Sequence, residues 1–65
     1  MSVRSLALQL YYWMQRVEGL EKAMAKTAPE NIEERRGLEE ELIQARRQVE
    51  HYHKLLEAQK EEPLI

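Results

Sequence analysis

The feature that most constrains this chain is the spacing of its apolar residues. Val3, Leu6, Leu10, Trp13, Val17, Leu20 and Met24 follow one another by alternating steps of three and four. Those steps place all of them on one side of an α-helix, at positions a and d of a heptad, with Val3 at a. Such a stripe must be covered. Further along, Leu38, Leu42, Ala45, Val49, Tyr52 and Leu56 repeat the pattern and supply a second stripe. These two sets are the predicted core.

Between them lies Thr27-Ala28-Pro29-Glu30. Proline is tolerated in a helix only in its first turn, where its missing N–H would be unbonded anyway. Thr, two residues, then Glu is also the capping-box pattern. The spacing therefore predicts helices over residues ~3–26 and ~29–60. Ser2 is placed to cap the first. Lys22 and Lys26 suit the negative end of its dipole, and Glu30, Glu33 and Glu34 suit the positive end of the second helix. The second stripe weakens towards the link, where its extrapolated positions are Arg35 and Asn31 and Ile32 lies one position off. Pro63 is expected to end the second helix, giving a hairpin over 1–62 and a tail over 63–65.

A link this short makes the helices antiparallel, so the fold class is all-α, a two-helix hairpin. Counting from the link, facing residues have numbers summing to about 57. Trp13 is then expected against Leu42 and Ala45, a large ring against a small methyl. Leu10 is expected opposite Ala45 and Val49, Leu6 opposite Val49 and Tyr52, and Val17 opposite Leu38 and Leu42. Arg16 and Glu41 flank the stripe at one level and are expected to form an ion pair.

A chain of 65 residues is one small domain at most, and it has no cysteine. Domains of this size commonly need a disulfide, a metal or a second chain to be stable. Without thiols, association is the leading option, and a cytoplasmic setting fits. A formal charge of −2 leaves no basic footprint for nucleic acid or anionic lipid. The Arg35-Arg36 and Arg46-Arg47 doublets read as salt-bridging surface. The longest apolar stretch, Leu6 to Met14, is interrupted by Gln9 and is too short to span a bilayer. One arginine precedes it, as in a signal peptide, but no small-residue cleavage site follows.

Apolar residues also occur off the stripes: Leu8, Tyr11, Tyr12 and Met14 on the first helix, Ile43 and Leu55 on the second. Between Leu6 and Met14 the first helix is apolar almost all round, and such helices are normally buried on more than one face. The surplus gathers at the end of the hairpin away from the link. These six residues are the expected interface. The simplest partner is a second copy, two hairpins making a four-helix bundle. Another protein docking there is the alternative partner.

The sequence offers little for catalysis. Apart from tyrosine, the only hydroxyl residues are Ser2, Ser5 and Thr27, there is no Asp, and no glycine-rich loop is present. Glu39, Glu40 and Glu41 fan out around a helix and read as a solvated face. Glu50 and His53 have the Glu-x-x-His spacing of di-iron bundles. The facing level of the first helix holds Arg4, Ser5 and Gln9, with no acid before Glu18. His51 and His53 are roughly 200° apart around a helix and cannot share one ion. His53 and Glu57, one turn apart, are spaced to hold an adventitious metal weakly and are expected chiefly as a surface pair. No cofactor is implied. Gly19 and Gly37, on one level outside the stripes, fit a close partner backbone, simple tolerance, or a bend at Gly37.

In size and hairpin shape the chain resembles two families. Sporulation-type aspartyl-phosphate phosphatases carry Ser-Gln-Glu-Leu-Asp at the start of their second helix. Here Arg36-Gly37-Leu38-Glu39-Glu40 has neither the Ser nor the Asp, so the catalytic inference does not transfer. The small co-chaperones of type III secretion are similar as short hairpins with exposed apolar faces. The functional expectation is a non-catalytic interaction module (adaptor, co-chaperone or regulator) acting through self-association and the open end. The alternative is a small metal-binding bundle using Glu50 and His53.

Overall fold

The computed structural model describes residues 2–61, with side chains described up to residue 59. The chain forms α1, Val3–Lys26, and α2, Ile32–Glu61, packed against each other as an antiparallel hairpin. No strand occurs among the described residues. The expected tail over 63–65 lies outside them.

Ser2 caps α1: its Oγ accepts the Ser5 N–H at 3.1 Å, satisfying one of the first-turn donors that a helix leaves unpaired. At the other end the expectation fails. Thr27 does not open α2 in a capping box. It closes α1 with extended backbone, its N–H donating to the Met24 carbonyl at 3.2 Å and its Oγ1 to the Ala23 carbonyl at 2.8 Å. Ala28 to Asn31 then form a turn, with Asn31 N–H donating to the Ala28 carbonyl at 3.0 Å and Pro29 second in the turn. The fixed φ of proline suits that position as well as it suits a first helical turn. α2 thus begins at Ile32, three residues later than the pattern suggests. Asn31 precedes it, accepting the Arg35 N–H at 3.1 Å on its carbonyl and donating from Nδ2 to Glu34 at 2.6 Å.

Arg35, the cation at the polar end of the second stripe, has a specific task. Its Nη1 donates to the carbonyls of Met24 and Thr27, both at 3.4 Å. It brings donors and positive charge to the carbonyl end of α1, which is short of both.

Two ion pairs bracket the seam. The expected Arg16–Glu41 pair forms at 3.6 Å on one flank, and Glu21–Arg46 at 2.8 Å on the other. Their residue numbers sum to 57 and 67, so the seam between them is centred near a sum of about 62. The sequence register had taken one flank for the centre. On the corrected register Leu20 lies level with Leu42, Met24 with Leu38, and Thr27 with Arg35, as the Arg35–Thr27 hydrogen bond requires.

Leu20, Leu42 and Ala45 form the buried cluster, and Trp13, Val17, Met24 and Leu38 pack on it half-buried. Leu6 is buried near the open end, 2% exposed. Leu10, Val49, Tyr52 and Leu56 are half-buried. Val3, placed by its spacing in the core, is instead 51% exposed. It stands in the first turn of α1, level with the exposed Gln59.

Candidate functional site

The hairpin is a rod 57 Å long and about two helices thick. Each helix covers one side of the other and leaves its remaining surface to solvent. Leu8, Tyr11, Tyr12, Met14, Ile43 and Leu55 are all exposed, Leu8 and Tyr11 most of them at 63%. Ile32 is exposed too, beside the link. The heptad explains the arrangement. With a at Val3 and d at Leu6, Leu8 falls at f, Tyr11 at b, Tyr12 at c and Met14 at e, none of which points at α2.

Two flanks of the open half differ. On one, the edge of the Trp13 ring lies 5.0 Å from Tyr12, centroid to centroid, and both rings border a shallow groove with Arg16, Gly37, Glu41 and Gln44. Glu40 lines it as well, and the charges of Arg16 and Glu41 are tied to each other. The groove has no histidine, thiol or non-phenolic hydroxyl along its lining. On the other flank, Met14, Val17, Arg46 and Val49 border an open hollow of about 210 Å³ lined almost wholly by carbon.

The candidate metal ligands are scattered over the surface. Glu50 pairs with Lys54 at 3.0 Å and His53 Nε2 lies 3.8 Å from Glu57, each pair one helical turn apart and exposed on at least one side. Among the described residues no group of three or more His, Asp or Glu is gathered closely enough to hold an ion. His51 lies edge-on to Tyr52, with 5.1 Å between ring centroids. Among the described residues no helix is long and apolar enough to cross a membrane.

Gly19 and Gly37 each face open space: a Cβ built on either meets nothing within 4 Å. Neither helix therefore needs glycine there in order to pack in the hairpin.

Comparison with family models, with curated proteins and with solved structures gives no match to this chain.

Proposed function

We propose that this chain is a non-catalytic helical interaction module, an adaptor, co-chaperone or regulator. It acts by self-association and through the apolar surface at its open end. The observation that carries this reading is the exposure of Leu8, Tyr11, Tyr12, Met14 and Leu55 in a chain that buries only Leu6, Leu20, Leu42 and Ala45. Large apolar side chains gathered in water at one end of a small hairpin are the kind of surface that marks contact sites. A cytoplasmic setting accords with a chain that has no cysteine.

Thermal unfolding at several protein concentrations tests the reading. If association completes the fold, mass action ties stability to concentration. The midpoint should then rise steadily as the chain is concentrated from about 1 to 100 µM, the affinity range of specific but modest complexes. A midpoint independent of concentration, with a monomeric mass throughout, would overturn it.

A further inference from the structure

We infer that the flank carrying Met14 and Val49 is the seam between two copies of this chain, packed antiparallel about a two-fold axis level with Leu10. The inference rests on the self-association reading above and adds the face and the direction.

The first ground is the pattern of rows on α1. A hairpin alone needs apolar residues at a and d, whereas a helix inside a bundle also carries them at e or g. From Val3 to Val17 positions a, d and e are Val3, Leu6, Ala7, Leu10, Trp13, Met14 and Val17, with no charge among them. The e row lies on the flank of the Met14–Val49 hollow, and there Ala7 and Met14 are exposed. The row ends at Glu21, which is engaged by Arg46.

The second ground is area. The chain exposes 5452 Å². A compact protein of its 7.8 kDa mass exposes about 4,400 Å². The surplus, about 1,000 Å², compares with about 800 Å² buried per partner in a stable interface. Its radius of gyration tells the same story, 15.4 Å against about 11 Å for a compact chain of this length. A second copy laid along one flank covers an area of the required size.

The third ground is self-complementarity, which a two-fold interface demands. Ala7 and Met14 stand either side of Leu10. An antiparallel axis at that level sets Met14 of each copy over Ala7 of the other, large against small, twice. Tyr52 is the level of Leu10 on α2. The same axis brings Glu57 of one copy level with the Arg46-Arg47 doublet of the second, and Glu50 level with its His53 and Lys54. No acid is set against an acid.

Sedimentation equilibrium of the whole chain and three variants decides the matter, with circular dichroism as the check on folding. Met14→Glu and Ala7→Arg put charge into the proposed seam at side chains the single hairpin leaves exposed. Tyr12→Glu does so on the opposite flank. The wild type and Tyr12→Glu should be dimers. Met14→Glu and Ala7→Arg should weaken dimerisation by about thirtyfold or more, since the two-fold counts each substitution twice. Dimers persisting in both seam variants, or dissociation of Tyr12→Glu alone, would overturn the assignment of this face and leave self-association standing. A monomeric wild type would overturn both. Should Met14→Glu lose its helicity, Ala7→Arg decides alone, because Ala7 is exposed in the single hairpin.

Discussion

The two ends of this hairpin are held by different means. At the link, the structure is local and polar. Thr27 bonds back into α1, Pro29 sets the turn, and Arg35 reaches across to the carbonyls of Met24 and Thr27. At the open end the residues are apolar and find only each other: Leu6 is buried, but Val3, Leu8, Tyr11, Tyr12 and Met14 are left in water. The difference teaches where the chain is complete by itself. Hydrogen bonds and charge close a turn within a few residues, because each donor can find its acceptor nearby. Apolar surface is different, since two helices can hide only one stripe each, and α1 carries more than one.

The largest way to test the contrast is in the core that joins the two ends. Leu42→Ala removes a buried side chain beside Ala45 and Leu20 and should cost about 3 kcal/mol, by the usual cost of emptying a packed site. Leu8→Ala, at an exposed position, should change the unfolding free energy of the hairpin itself by less than about 0.5 kcal/mol. Urea titrations followed by circular dichroism measure both. Equal effects would erase the distinction between seam and surface.

The link end can be sharpened next. Arg35→Ala deprives two carbonyls of a charged donor and should destabilise by about 1 kcal/mol, the long 3.4 Å contacts keeping it at the modest end. Gly37→Ala should act in the opposite direction. The new methyl meets open space in α2, and replacing glycine inside a helix should stabilise by about 1 kcal/mol. A loss there would mean that something approaches Gly37 closely when chains assemble.

The smallest effect belongs to the flanking charges. Arg16 and Glu41 are 3.6 Å apart and each about half exposed. A double-mutant cycle should give a coupling below about 0.5 kcal/mol, falling further in salt. A coupling of several times that would mean the pair is desolvated, and hence that the Tyr12 flank is covered.

Much of this was legible in the residue order. Steps of three and four gave both helices, and α1 runs over the span they suggested. Pro29 marked the break, and the opposite charges of Arg16 and Glu41 marked one flank. What the order left ambiguous has local causes. Thr27 with Glu30 matches a capping box, yet a threonine hydroxyl can equally donate back to a carbonyl four residues earlier, and Pro29 fits a turn as readily as a helix start. Arg35 looked like a flaw in the second stripe. Its charge, opposite the carbonyl end of α1, was the signal that it caps that helix. The register slipped because a flanking ion pair sits to one side of the seam, and its mate, Glu21–Arg46, was needed to find the centre. The uncovered residues at the open end were legible as surplus from spacing alone, since b, c, e and f positions cannot all face one partner.

The central claim is that the open end is finished by a second copy. Sedimentation equilibrium of the unmodified chain at micromolar concentration tests it most directly. The account predicts a mass of twice the 7.8 kDa chain. A single species at the chain mass, still helical, would contradict it.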